Sequence, residues 1–436
     1  MGARHLIQRA SWTLIDQGVV SFGNFLLNVL LARSLSQEDY GKFALFFGAI
    51  FILRTIDFSL ISYPLSVRLN VAGDEDRAGL LGNTILLTLA LSLVLVVIMA
   101  VGTALLEVGH IVVPACLCFL CWQAQETSRR FLLADFRYRT AVAGDGIAYL
   151  GQTVLIALLA WLNAISLQAA LYMMSVTFGI GAVMHASKLQ YAWPNLADAR
   201  LVAGEYLSVG KWSLLNYQLV LARGLLPPWV LAAFSGTAAI ASLQAGLNIA
   251  NMLNPISVGI GNAIPQVAAH AYRTGGIIGA SRAALGYVLF GLIPIVLISA
   301  AVILMPDLLL RAVYGPTSPY LAAATGLQLL VGAGVLDYIA ETISKTLLGV
   351  QAGRLASLVN AVAVVVAAVL AFGLIGPFGM FGACLALVIS NLVRAIGAVT
   401  AIAWLIANEK SLAPARSAVS VRSARIDQTL SAPAKQ

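Results

Sequence analysis

The stretch ETSRRFLLADFRYR at 126–139 returns at 341–354 as ETISKTLLGVQAGR. At this offset of 215, Glu126, Thr127, Leu132, Leu133 and Arg139 match Glu341, Thr342, Leu347, Leu348 and Arg354, and Arg130 corresponds to Lys345. Apolar matches come cheaply in a chain that is 60% hydrophobic, so the charged ones carry the weight. A second set, at an offset of 200, aligns Trp12, Leu14, Val20, Leu26, Leu31 and Ala32 with Trp212, Leu214, Val220, Leu226, Leu231 and Ala232. It sets Asp16 opposite Asn216. The chain therefore reads as two related halves.

Each half is built for a bilayer. Mean hydropathy is +0.91. Charged residues make up 10% of the chain, against roughly 25% in soluble domains. Apolar runs recur at about the ~20 residues that cross ~30 Å of hydrocarbon as a helix. They lack the alternating ~10-residue pattern of an outer-membrane barrel. The runs predict helices at 11–32, 43–67, 80–105, 111–128, 141–162, 166–186, 212–234, 238–268, 283–305, 320–346, 355–375 and 378–406. The basic start MGARHLIQRASW leads into a run that passes residue 30 without a small-residue cleavage site, so it is read as the first membrane helix.

Charge sets the orientation. With both termini inside, the inner segments hold 20 of the 26 Lys and Arg residues and the outer segments hold 3, Arg33, Lys42 and Arg311. That asymmetry places the termini in the cytoplasm. The net charge of +8 thus serves topology, and nucleic acid is not an expected partner. Six helices per half restore the same orientation, so the repeat is parallel. The expected fold is an all-α polytopic membrane protein of about twelve helices, in two six-helix bundles forming a V around a central cavity. The boundaries are an N-terminal bundle over 1–188, a cytoplasmic linker over 189–211, a C-terminal bundle over 212–407 and a basic tail over 408–436, expected to be disordered. Cys118 and Cys121 have redox spacing but sit in an apolar run, where they read as small buried hydrophobes.

Three arginines remain inside apolar runs: Arg54, Arg223 and Arg394. A guanidinium near the bilayer centre costs at least ~3 kcal/mol on insertion scales, and it cannot shed its proton. Such groups need a protein-lined cationic place, which suits an anionic substrate. Arg223 has no acid three or four residues away, and neither has Arg394. Arg223 reads as a substrate contact or as the partner of a carboxylate on another helix, and Arg394 as a substrate contact or as a cation snorkelling to the cytoplasmic boundary. Pro227 and Pro228 follow Arg223; Pro227 cannot donate to the carbonyl of Arg223, so a hinge is expected there. Arg54 has Asp57 one turn on, which predicts a self-neutralised pair, with substrate contact as the alternative. Asp337, Glu341 and Lys345 form one helical stripe. Asp337 is placed to hold a coupling ion, H+ or Na+, or to neutralise an arginine of the opposite lobe. Asp16 belongs to the same set of ion-coupling or cavity-lining candidates.

Enzyme signatures are absent. Gly204-EYLSV-Gly210-Lys211-Trp212 has the wrong spacing and ending for a phosphate loop. His5, His110, His185 and His270 flank spans without ligand spacing. No cofactor and no metal are expected.

The opening ASWTLIDQGVVSFGNFLLNVLLARSLSQEDYGKFAL, with its polar first helix and its elbow from Leu30 to Leu45, resembles bacterial polysaccharide flippases. These belong to the multidrug/oligosaccharidyl-lipid/polysaccharide exporter superfamily. The likeness is sharp over about 8–46 and one of layout over 8–406. It implies movement of an undecaprenyl-pyrophosphate-linked sugar repeat unit across the cytoplasmic membrane. Membrane lipids and the polysaccharide polymerase machinery are the implied partners. Multidrug exporters, which are cation-coupled, and lipid-linked peptidoglycan precursor flippases share the fold and are the alternatives.

Overall fold

The computed structural model describes residues 3–69, 74–105, 109–135 and 137–409. The tail over 410–436 lies outside the described residues, as does the expectation of disorder attached to it. Among the described residues the chain is helical between short connections and holds no strand. The N-terminal half has α1 (Ala3–Ser34), α2 (37–69), α3 (Asp74–Leu105), α4 (Val112–Ala134), α5 (138–161) and α6 (Leu167–Ala186). The C-terminal half has α7 (196–235), α8 (237–275), α9 (277–304), α10 (319–349), α11 (353–378) and α12 (380–407), with a short helix Pro306–Tyr314 between α9 and α10. All twelve expected spans are present.

Connections follow local chemistry. Ser36 and Ser166 cap α2 and α6 by accepting from the amides of Asp39 and Ala169, each at 3.1 Å. Three helix pairs turn on single glycines with positive φ, Gly236 (77°), Gly276 (59°) and Gly379 (53°). A residue with a Cβ resists that conformation. The chain doubles back at these points: a Cβ on Gly279 would lie 3.1 Å from the carbonyl oxygen of Ala271, and one on Gly382 would meet that of Leu374. Residues eight apart in an unbroken helix are separated by ~12 Å. Helical backbone continues through Pro227 and Pro228, and the non-helical residue of that run is Gly236.

Residues 196–211 differ from the sequence expectation. They form the first turns of α7 rather than a linker. Asn195 caps them, accepting from the Ala197 amide at 3.0 Å. They dock on the N-terminal half, through Thr84 and Tyr206 at 2.9 Å and an Arg68–Glu205 ion pair at 2.5 Å. Likewise α4 runs to Ala134, beyond the predicted end at 128, and buries Arg129.

The apolar core shows the V. At the face bearing the α1–α2 elbow and the 306–319 segment, one continuous cluster joins both halves, from Leu27, Tyr40 and Phe43 to Leu231, Tyr314 and Tyr320. We call this the far face. Toward the other, near face the core divides. Ile61, Leu65, Phe131 and Tyr206 pack in the N-terminal half, while Ala268, Ile277, Leu347 and Leu405 pack in the C-terminal half. The apolar core is thus continuous between the halves at the far face and divided at the near face, where α7 still reaches the N-terminal half through Tyr206, Tyr217 and Gln218. Cys118 lies fully buried in the joined core, and all four cysteines are unbonded.

Polar contacts lock the far face. Arg33 donates from Nε to the carbonyl of Val313 at 2.7 Å and from Nη2 to that of Ala312 at 3.1 Å. Asn248 donates to the carbonyl of Phe25 at 3.4 Å and to the Tyr314 hydroxyl at 3.3 Å. Gly41 permits the closest approach, since a Cβ there would overlap the Thr237 carbonyl. Gly41→Leu is expected to part the two halves at this face. In an otherwise cysteine-free chain, cross-linking between cysteines placed at 33 and 313 should drop sharply in that variant. Unchanged cross-linking would show that the elbow does not control closure.

Candidate functional site

Two charge networks flank the cleft, one in each half. In the N-terminal half, Glu126 lies at the centre. Its carboxylate accepts from Nε of Arg130 at 2.8 Å, from Arg129 at 3.2 Å, and pairs with Nη2 of Arg54 at 3.2 Å. Arg129 also donates from Nε to Asp145 on α5 at 2.5 Å and from Nη2 to Asp16 on α1. Gln125 adds a donor to Asp145 at 2.6 Å. Four helices therefore meet at Glu126 and Arg129. The Arg54 guanidinium stacks 4.4 Å above the Trp122 ring, a favourable site for a weakly hydrated planar cation.

In the C-terminal half, Asp337 on α10 bridges two arginines. Its Oδ1 accepts from Nη2 of Arg223 on α7 at 2.8 Å and from Nη1 of Arg394 on α12 at 2.9 Å. Arg394 donates from Nη2 to Glu341 and from Nε to Asn360 on α11 at 2.8 Å. Arg223 donates from Nη1 to Asn391. Lys345 pairs with the other Glu341 oxygen at 3.5 Å. Arg394 side-chain exposure is 1%, whereas that of Asp337 is 41%. The acids and Lys345 thus reach the open side, with the arginines behind them.

The repeat read in the sequence is physical. Glu126–Arg130 and Glu341–Lys345 are equivalent i,i+4 pairs, each glutamate backed by an arginine from another helix. Arg130 and Lys345 are 39% and 32% exposed. Asp145 and Asn360 also correspond at the offset of 215, and each accepts from the arginine of its network. Between the walls, the Tyr217 ring meets Phe58 edge-on at 5.1 Å, and Arg130 lies 4.9 Å over the same Phe58 ring. Tyr217 is within electrostatic reach of both Arg130 and Glu341.

Three expectations about the residues named from sequence differ from the structure, the first being the hinge at Pro227 and Pro228, where α7 stays helical up to Gly236. Arg54 pairs with Glu126 on α4, not with Asp57. Stacking on Trp122 draws its guanidinium toward α4, and a π-helical turn over Phe58–Ser62 gives Asp57 a different partner. Asp57 accepts from Ser62 at 3.4 Å, five residues on, and its Oδ1 has no hydrogen-bond partner. Asp337 neutralises arginines of its own half, not of the opposite one, because α7, α10 and α12 pack together. Arg129 and Asp145 were missed. The available signal was the E-x-x-R-R stripe at 126–130 and an unpaired Asp16 facing it across the bundle.

No family model matches the sequence, and none of the curated proteins matches it. Solved structures do. An inward-facing multidrug resistance MATE family transporter of the MOP superfamily superposes with TM-score 0.76 at 16% identity, over 91% of this chain and 98% of that one. An outward-facing MATE family transporter gives 0.65 at 15% identity, over 92% and 95%. A MOP superfamily transporter from Pyrococcus furiosus gives 0.67 at 15% identity, over 93% and 96%. The fold is that of MATE transporters of the MOP superfamily.

Proposed function

We propose that the chain is a flippase for an anionic lipid-linked oligosaccharide, an undecaprenyl-pyrophosphate-linked repeat unit carried to the outer leaflet of a bacterial cytoplasmic membrane. One observation carries this reading. Arg130 and Lys345, from opposing halves, are partly exposed cations fixed by equivalent glutamates, each glutamate held by a less exposed arginine from another helix. A pyrophosphate between two such walls keeps charge-assisted partners while its tail stays in lipid. Moved through bare hydrocarbon it would lose solvation worth tens of kcal/mol in the idealised limit. Rocking of the two halves about the far face would carry the headgroup from one leaflet to the other.

A second reading has its own support. Asp337 and Glu341 are also exposed, at 41% and 33%, and acids favour a cationic drug. Two neighbours are described as multidrug resistance transporters. The Pyrococcus furiosus neighbour is described as having reversed pocket polarity that suggests a different function. Within one fold, then, site charge decides the role. Proteoliposomes separate the readings. A fluorescent prenyl-pyrophosphoryl glycan should become accessible to a membrane-impermeant quencher, and Arg130→Glu with Lys345→Glu should abolish this. A peptidoglycan-type precursor carried equally well would widen the substrate to lipid pyrophosphates in general. Transport of ethidium but not of the glycan would sink the flippase reading.

Coupling is assigned to a proton or Na+ gradient, with Asp57 as the acid: Asp16 and Asp57 each retain an uncommitted oxygen, but Asp16 is ion-paired to Arg129 and Asp57 has no ion pair among the described residues. Asp57→Asn should leave glycan movement insensitive to the imposed gradient at unchanged abundance. Retained gradient dependence would exclude Asp57. For orientation, reporter fusions at 135–137 and 189–195 should read cytoplasmic, and fusions within 306–319 should read external.

A further inference from the structure

At the near face, the seam between α7 and α11 opens into a groove of about 490 Å³ lined by Leu215, Asn216, Leu219, Gly353, Arg354 and Ser357. Its surface is largely apolar. Arg354 is exposed and, among the described residues, has neither ion pair nor hydrogen bond. This is unlike the intramembrane arginines, each of which meets at least one carboxylate.

The repeat shows that the groove is particular to this half. Arg354 corresponds to Arg139, whose guanidinium lies 5.4 Å over the Trp12 ring. Asn216 corresponds to Asp16, which is consumed by Arg129. The N-terminal equivalents are thus occupied by internal partners. In the C-terminal half, the one hydrogen-bond partner of the Asn216 side chain among the described residues is the Ser357 hydroxyl, which donates to it at 3.4 Å, and the cation is left over.

The groove also leads somewhere. Asn216, Leu219 and Arg223 share one face of α7, and Gly353, Ser357 and Asn360 share one face of α11. Seven residues of rise on α7, ~10 Å, separate Asn216 from Arg223, and three on α11, ~4.5 Å, separate Ser357 from Asn360, so the Asn216–Ser357 contact lies just below the Arg223–Asp337–Arg394–Asn360 network. Polar groups therefore step from the near-face mouth up to the charged centre, beside an apolar wall of Leu215 and Leu219.

We propose that this groove binds the phosphate-bearing head of a lipid, with Arg354 on the phosphate and the first segment of the tail on Leu215 and Leu219. Its role as the loading site for the transported lipid rests on the flippase reading. A free phosphate would use the cation but not the apolar wall, and a neutral lipid would use the wall but not the cation. Only the amphiphile satisfies both.

Calorimetry on the purified full chain in a neutral detergent tests this. The probes are farnesyl pyrophosphate, farnesol and inorganic pyrophosphate. Farnesyl pyrophosphate should bind saturably, and the other two should bind at least about tenfold more weakly, the scale of one charge-assisted contact. Arg354→Gln should weaken farnesyl pyrophosphate about tenfold, with Arg354→Lys intermediate. Leu219→Trp, which fills the groove and keeps the cation, should weaken it too. Arg354 is exposed, so thermal melting should stay at the parental value. Equal binding of inorganic pyrophosphate, indifference to Arg354→Gln, or no binding by the parent chain would each overturn the groove. Arg354-dependent binding without glycan translocation in proteoliposomes would uphold the groove and overturn the flippase reading alone.

Discussion

Asp337→Asn should remove most of the protein from the membrane. The substitution keeps size and one acceptor but deletes the charge that Arg223 and Arg394 share. Arg223 would be left with Asn391 and no carboxylate. Arg394 would keep Glu341 and Asn360. Breaking a buried pair by removing one partner costs roughly 3–5 kcal/mol. The lower end applies, because Asp337 is 41% exposed and water in the cleft compensates part of the loss. Since whole domains are stable by only ~5–15 kcal/mol, abundance and melting temperature should both fall. The double variant Asp337→Asn, Arg223→Gln should recover most of that loss, because it removes the stranded charge and leaves Arg394 paired. A single variant as stable as the parent, or a double variant no better than the single, would show that Asp337 is not the keystone of this network.

The sequence exposes some of this and hides the rest for definable reasons. Most of the helices are long and apolar enough to be seen alone, Val112–Ala134 being an exception, and six helices per half follow from the charge asymmetry. That Arg223 lacks a local partner is visible, since a partner three or four residues away would show as a stripe. The identity of its partner is not, because Asp337 lies 114 residues on. Arg54 misleads in the opposite direction. Asp57 offers a plausible local pair, but the Trp122 face and Glu126 on another helix outcompete it. The end of α4 is hidden by its own chemistry. Glu126, Arg129 and Arg130 look like the start of a loop to any reading based on hydropathy, and the helix continues because distant acids neutralise them. The Glu126/Glu341 repeat was the one long-range signal that pointed to both networks.

Arg129→Leu should be the most damaging single change of all. Its guanidinium is the shared counter-ion of Asp16, Glu126 and Asp145, which come from α1, α4 and α5. Glu126 would still hold Arg54 and Arg130, but Asp16 and Asp145 would lose their only ion-pair partner among the described residues. Two stranded carboxylates place the cost above the ~5 kcal/mol upper end for one broken pair. The variant should therefore fail to accumulate. Arg129→Lys keeps the charge, yet a compact ammonium cannot reproduce a planar fork reaching three acids, so abundance should be intermediate. Removing the stranded charges as well, in Arg129→Leu with Asp16→Asn and Asp145→Asn, should restore abundance toward the parent. Membrane levels of the four chains, read by fluorescence-detected chromatography, decide it. If Arg129→Leu accumulates normally, the N-terminal network is not holding the bundle. If the triple variant stays as poor as the single, the loss comes from packing around the guanidinium and not from unpaired acids.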